Sequence, residues 1–220
     1  MKKLLSSALY SFSKATLWTL FRVGFSLSVR GQEHVPSTGP CILACNHVSF
    51  LDPPVLGATS PRRVDFMARS SLFENPLLGA YMRTLEQISL RRGELDISAL
   101  REAVKRLRQG RVVALFPEGG RQRNGELGTA KRGVGLLAVT GRAPIVPVLI
   151  QGTYQAMSPE RPMRLHPAKI SVAFSEPIPY TTSPTLSTTP TASRDLHEQL
   201  AQKVTAAWQR LASDVRKGSP

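Results

Sequence analysis

Short apolar runs alternate with longer amphipathic segments after residue 32, and this alternation constrains the fold more than any other feature. Ile97–Arg108 is predicted as a helix, because its apolar residues recur at helical spacing between an N-cap candidate, Asp96, and a terminating Gly110. Strands that alternate with helices predict an α/β fold, here a single domain with a mostly parallel central sheet flanked by helices. The runs predicted as strands are Cys41–Cys45, Arg63–Met67, Gln87–Leu90, Arg111–Phe116, Ile145–Ile150 and Ile170–Phe174.

Composition divides the 220 residues into four segments. Residues 1–30 are apolar and basic, and residues 31–180 hold the alternating pattern of the α/β domain. Residues 181–193 read TTSPTLSTTPTAS, a composition typical of a linker. Residues 194–216 are predicted as a C-terminal amphipathic helix.

The N-terminal segment carries five basic and no acidic residues. A bilayer-spanning helix needs about 20 consecutive apolar residues, and Lys14 and Arg22 interrupt the run here. Apolar residues such as Leu5, Leu9 and Phe12 beside basic flanks instead predict an amphipathic helical segment that lies on a membrane surface. A helix packed on the domain's own core and a cleaved signal peptide are the alternatives.

The formal net charge is +14, from 29 Lys and Arg against 15 Asp and Glu. Residues 1–30 and 101–132 together account for +11 of it, so the excess lies in two local regions. Such a charge predicts an anionic partner: nucleic acid, a membrane surface or a phosphorylated substrate. Proteins that bind single-stranded nucleic acid usually carry aromatic side chains among their basic residues. Residues 101–132 contain only one aromatic residue, Phe116, which disfavours that partner.

The end of the first predicted strand carries a histidine and an aspartate, in Asn46-His47-Val48-Ser49-Phe50-Leu51-Asp52. Five helical positions rotate by about 500°, so His47 and Asp52 would meet only if the chain turns between them. In that geometry Asp52 would orient the imidazole, and His47 would act as a general base with an unperturbed pKa of about 6.5. On these residues alone, a helix N-cap at Asp52 beside an ordinary loop histidine is the simpler interpretation.

A second loop follows the strand predicted at Arg111–Phe116 and reads Pro117-Glu118-Gly119-Gly120-Arg121. Proteins of the α/β class bind ligands where loops leave the carboxyl ends of parallel strands. Two glycines permit a close backbone approach, their N–H groups are candidates to stabilise an oxyanion, and a guanidinium suits a phosphate group. A tight turn with solvated arginines is the alternative.

These motifs together resemble the glycerolipid acyltransferases related to bacterial 1-acyl-glycerol-3-phosphate acyltransferase. The resemblance begins with Asn46-His47 and Asp52, and it includes Phe116-Pro117-Glu118-Gly119 followed by Arg121. It also includes Ile88-Ser89-Leu90-Arg91-Arg92 and Val146-Pro147-Val148, and it extends over residues 30–152.

The resemblance implies transfer of a fatty acyl group from an acyl thioester to the free hydroxyl of a lysophospholipid, most directly 1-acyl-glycerol-3-phosphate, which gives phosphatidic acid. It implies His47 and Asp52 as the catalytic pair. No metal or cofactor is implied, and acyl-CoA or acyl carrier protein is the donor substrate. The implied location is the cytoplasmic face of the cell membrane, bound peripherally or monotopically. The residues implied to bind substrate are Arg92, Glu118, Gly119, Gly120, Arg121 and Lys131.

Four places depart from the family pattern. Gly120 stands where Thr or Ser is usual, Ala130 where an aromatic residue often precedes the lysine, Ser175 where glycine is common, and Glu86-Gln87 replace small apolar residues. These departures leave open another acceptor, such as a lyso-ornithine lipid or lysophosphatidylcholine. A basic nucleic-acid-binding module and an inactive membrane tether are alternatives from other classes, and no feature predicts an oligomeric state.

Overall fold

A computed structural model describes residues 2–91, 96–160, 164–181 and 190–217. Its strands form one seven-stranded sheet in the order β1-β7-β6-β2-β5-β3-β4. Strands β6 and β7 pair antiparallel, and the other neighbours are parallel. The mostly parallel α/β fold is therefore confirmed. The strands are β1 (Ser28–Arg30), β2 (Cys41–Cys45), β3 (Val64–Arg69), β4 (Ile88–Leu90), β5 (Val112–Leu115), β6 (Ile145–Gln151) and β7 (Ser171–Phe174).

Helices cover both faces of the sheet. The described helices are α1 (Lys2–Gly24), α2 (Asp52–Thr59), α3 (Pro76–Thr84), α4 (Ile97–Arg108), α5 (Gly133–Gly141), α6 (Thr153–Ala156) and α7 (Pro190–Lys217). Alternate residues of a strand point to opposite faces, and β2 follows this rule. Ile42 and Ala44 pack among α4, α5 and α7, whereas Leu43 packs with residues of α1 and α2.

Most predicted elements lie within one or two residues of the observed ones. Helix α4 has the predicted bounds, with the Asp96 side chain accepting the Ala99 N–H at 3.0 Å and Gly110 following at φ 74°. The strand predicted at Arg63–Met67 is observed at Val64–Arg69. Strand β1 was not predicted, because three residues are too short to show a pattern.

The end of the N-terminal segment belongs to the domain, because β1 pairs with β7 and lies within residues 1–30. Phe21 and Leu27 are each only 1% exposed in the core. Lys14 Nζ donates to the Ser60 carbonyl at 2.6 Å, which ties α1 to the end of α2. The domain therefore begins earlier than residue 31. None of the described helices is long and apolar enough to cross a bilayer.

Helix α7 begins at Pro190, inside the stretch predicted as a linker, and residues 182–189 of that stretch lie outside the described residues. Its buried side carries Leu200, Val204 and Trp208. The Trp208 indole is fully buried and donates from Nε1 to the Ala44 carbonyl at 3.1 Å. The C-terminal helix is thus part of the core behind β2.

Two arginines of the basic region 101–132 serve the fold. Arg111 Nη2 lies 2.6 Å from Asp65 Oδ1, and Arg106 Nη1 lies 3.5 Å from Asp65 Oδ2. Asp65 is only 1% exposed and lies near the start of β3, away from the carboxyl ends of the strands where His47 and Glu118 lie. Part of this region's charge therefore compensates a buried carboxylate and does not face an external anion.

Candidate active site

His47 and Asp52 form a buried pair at the carboxyl end of β2. The distance from His47 Nδ1 to Asp52 Oδ2 is 2.8 Å, with the His47 side chain 18% exposed and the Asp52 side chain fully buried. Because a carboxylate oxygen accepts hydrogen bonds, this contact assigns a proton to Nδ1; in a neutral ring that tautomer leaves the lone pair on Nε2. The chain turns between the two residues, which is the condition under which they can meet.

The Asp52 carboxylate accepts hydrogen bonds from four donors. Besides His47, the backbone N–H groups of Val48 and Ser49 donate to Oδ2 at 2.7 and 2.8 Å. Thr153 Oγ1 donates to Oδ1 at 2.6 Å. Asp52 is the first residue of α2, and Leu51 occupies the N-cap position. The interpretation of Asp52 as an N-cap is therefore wrong: its bonds run back into the turn and across to α6.

Asn46 fixes the turn that delivers the histidine. Its Nδ2 donates to the Ile150 carbonyl at 3.0 Å, and its Oδ1 accepts the Ile150 N–H at 2.7 Å. The buried amide thus replaces a pair of strand hydrogen bonds between β2 and β6 just past the end of β2. The sequence showed an asparagine in the motif, but this long-range role had no local signal.

Glu118 joins three segments around the histidine. Its Oε2 accepts the His47 N–H and its Oε1 accepts the Gly128 N–H, both at 3.2 Å. The Gln122 N–H in turn donates to the His47 carbonyl at 2.8 Å. Burial raises the pKa of Glu118 to about 7, although hydrogen bonds from Gly128, His47 and the Gln122 side chain act in the opposite direction. Glu118, which the family resemblance implies as a substrate-binding residue, thus makes hydrogen bonds to backbone groups of the protein itself.

Two aromatic rings border the site. The Phe116 ring stacks on the His47 imidazole with a centroid distance of 4.2 Å and an interplanar angle of 26°. The Arg121 guanidinium lies 3.6 Å from the centroid of Phe50, a cation–π contact. Phe50 comes from the histidine turn, so this contact brings Arg121 to the loop that carries His47.

Gly119 and Lys131 also meet in the loop after β5. Gly119 has φ 78°, and a Cβ atom there would lie 2.9 Å from Lys131 Nζ, so glycine permits the lysine to approach. The Gly119 N–H donates to the Phe116 carbonyl at 3.1 Å, and the Lys131 N–H donates to Pro117. Gly120 follows in the same loop, whereas Arg92 lies outside the described residues.

His47 thus lies just past the carboxyl end of β2, and the loop after the neighbouring strand β5 carries Arg121 and Lys131. Within the described ranges, no group of three or more His, Cys, Asp or Glu side chains is placed to hold a metal ion. A histidine bonded to a carboxylate can transfer a proton, and the two cationic side chains nearby can bind an anionic group of a ligand. Thr153 is not among the predicted site residues, because it lies 101 residues from Asp52 and no local pattern links the two.

Comparison with known proteins shows which family this chain resembles. Residues 26–151 match the family model described as Acyltransferase. A 1-acyl-sn-glycerol-3-phosphate acyltransferase of Bacillus subtilis is 28% identical over 145 residues, which are 66% of this chain and 72% of that protein. The crystal structure of the 1-acyl-sn-glycerophosphate acyltransferase PlsC from Thermotoga maritima superposes with a TM-score of 0.71 and 26% identity, covering 93% of this chain and 80% of that one.

A plant relative is longer. The chloroplast 1-acyl-sn-glycerol-3-phosphate acyltransferase BAT2 of Brassica napus is 28% identical over 169 residues, which are 74% of this chain. This chain spans about half the length of the plant protein, at 49%.

The raised pKa of Glu118 predicts a pH-dependent contribution to stability. The folded protein keeps a proton that the unfolded chain releases between the ordinary pKa of 4.5 and the folded value of about 7. The free energy of unfolding contributed by this group therefore falls as pH rises through that window. In urea unfolding at about pH 5 and about pH 8, Glu118→Gln should lose less stability between the two pH values than the wild type.

Glu126 provides the matched control, since it lies in the same loop with an exposed side chain. Glu126→Gln should keep the wild-type pH dependence. An equal loss of stability in the wild type and Glu118→Gln would contradict the assignment of this titration to Glu118.

Proposed function

The chain belongs to the Acyltransferase family, and on that premise we propose that it transfers a fatty acyl group from an acyl thioester to the free hydroxyl of 1-acyl-glycerol-3-phosphate, giving phosphatidic acid. The observation that carries this proposal is the buried His47–Asp52 pair, with its 2.8 Å hydrogen bond and an imidazole that is still partly exposed. The names of the Bacillus and Thermotoga relatives support the choice of acceptor.

The proposed reaction uses His47 as general base. The acceptor hydroxyl donates its proton to His47 Nε2 while its oxygen attacks the thioester carbonyl, and Asp52 stabilises the imidazolium through Nδ1. The tetrahedral adduct then expels the thiolate, which takes the proton from His47. The ester bond forms, the thioester bond breaks, and the histidine returns to its neutral form without any covalent enzyme intermediate.

The loop after β5 supplies the remaining groups of this mechanism. Arg121 and Lys131 bind the acceptor phosphate, and Arg92 remains a predicted third cation for it. Because the Gly119 N–H donates to Phe116, the Gly120 N–H is assigned to the oxyanion of the adduct. Glu118 holds the His47 turn against this loop. Gly120 brings no hydroxyl to the acceptor, so other lysolipids belong in the substrate panel.

Replacing the base tests the catalytic assignment. Purified protein is offered acyl-CoA or acyl carrier protein thioester with a panel of lysolipids, and the diacyl product is measured. His47→Ala should lower turnover by about 10²–10⁴, the usual contribution of a general base. The folded variant should still bind lysophosphatidate, because the phosphate-binding cations are unchanged.

His166→Ala is the matched control, because His166 is an exposed histidine outside the site, and its turnover should equal that of the wild type. Wild-type turnover in His47→Ala would overturn the mechanism. A wild-type protein that acylates no acceptor in the panel would overturn the activity, and salt-sensitive DNA binding without acylation would favour the nucleic-acid alternative.

For location, we propose that α1 lies on a membrane surface. One side of the helix packs on the domain through Ser6 and Phe21, which are 4% and 1% exposed. The outer side exposes Phe12 by 71%, Leu20 by 52% and Val23 by 80%. Exposed apolar side chains on the outer side of a helix suit a membrane interface, and a Lys or Arg near an anionic bilayer adds about 1 kcal/mol of attraction.

The combined variant Phe12→Ser, Leu20→Ser and Val23→Ser should reduce co-sedimentation with vesicles containing anionic phosphatidylglycerol. Its fold should be kept, because the three side chains are exposed. Ile97→Ser, at a 53% exposed position on α4, is the control and should co-sediment like the wild type. Unchanged co-sedimentation of the triple variant would contradict the proposal that these side chains of α1 contact the membrane.

A further inference from the structure

Thr153 reaches the catalytic pair from a distant part of the chain. Strand β6 ends at Gln151, and Gly152 follows with φ 86°, in the left-handed region. A Cβ atom at Gly152 would collide with the Lys169 carbonyl, so both the backbone angle and the space require glycine. This turn starts α6 at Thr153 and brings its hydroxyl to 2.6 Å from Asp52 Oδ1.

We propose that Thr153 is a positioning residue for acyl transfer: its hydroxyl holds Asp52 so that Oδ2 stays aimed at His47 Nδ1. The inference rests on the proposed function. It adds a third side chain to the catalytic pair, one that acts through Asp52 and touches neither His47 nor the substrate.

The geometry of the carboxylate carries the argument. The terminal torsion of an aspartate is broad, so the carboxylate rotates easily when only one oxygen is held. Val48, Ser49 and His47 all donate to Oδ2, and Thr153 donates to Oδ1. With both oxygens bound by fixed groups, rotation would break the Thr153 bond. The hydroxyl therefore sets the plane in which Oδ2 meets the imidazole.

Burial separates this role from substrate binding. Thr153 and Asp52 are both fully buried, whereas His47 is 18% exposed on its side chain. A substrate that reaches His47 does not reach Thr153. Loss of the hydroxyl should therefore change the rate of the chemical step and leave the affinity for lysophosphatidate unchanged.

The test compares kcat and KM for acyl transfer to lysophosphatidate in full-length variants. Thr153→Val keeps the volume and removes the donor, and its kcat should fall about 10- to 100-fold, the scale of a small misplacement of a catalytic group. Its KM should stay within about twofold of wild type. Thr153→Ser keeps a hydroxyl and should restore most of kcat.

Thr59 provides a matched control on the same side of the sheet. It is also fully buried, but its hydroxyl donates to the Val55 carbonyl at 2.8 Å within α2, away from Asp52. Thr59→Val removes a buried hydroxyl of the same kind and should keep the wild-type kcat. If Thr153→Val does not accumulate as folded protein, Thr153→Ala and Thr153→Ser make the same comparison.

Each outcome decides the inference. A low kcat in Thr153→Val or Thr153→Ala, with KM unchanged and activity restored in Thr153→Ser, supports it. Wild-type kcat without the hydroxyl, an equal loss in Thr59→Val, or a change confined to KM overturns it while leaving the proposed function intact. A wild-type protein with no acyl transfer overturns both.

Discussion

A buried carboxylate is stable only when its oxygens are hydrogen-bonded, because the cost of removing the charge from water is otherwise too large. Asp52 is fully buried and meets this condition with donors from two regions of the chain, the turn after β2 and the start of α6. The hydrogen bonds that the Asp52 carboxylate accepts therefore hold both the turn after β2 and the orientation of the His47 imidazole. The same hydrogen bonds serve the fold and the proposed chemistry.

The sheet brings these groups together. In the central order β6-β2-β5, three neighbouring parallel strands end at one edge. Strand β2 delivers His47, β5 leads to Glu118, and β6 leads through Gly152 to Thr153. The Trp208 indole, bonded to Ala44, supports β2 from the opposite face. The proposed general base therefore follows a central strand that pairs on both sides and packs against Trp208.

Local sequence patterns predicted those features that depend on residues close together in the chain, such as helix bounds and turns. The bounds of α4 follow from its periodicity and from Asp96 and Gly110, and the spacing of His47 and Asp52 shows that the two can meet only across a turn. Long-range contacts were beyond such reasoning. The bond from Thr153 to Asp52 spans 101 residues, and the bond from Arg111 to Asp65 spans 46. Nothing near any of these residues indicates its partner.

The protonation pattern of the His47 ring is the most direct measure of its proposed role as the base. Nitrogen-15 NMR of histidine-labelled protein, at a pH where the imidazole is neutral, reports which ring nitrogen carries the proton, and the His47 signals are identified by their loss in His47→Ala. We expect a proton on Nδ1, held by Asp52, and an unprotonated Nε2 that can accept the substrate proton. A neutral His47 with its proton on Nε2 would contradict the proposed mechanism, since that nitrogen could no longer act as the base.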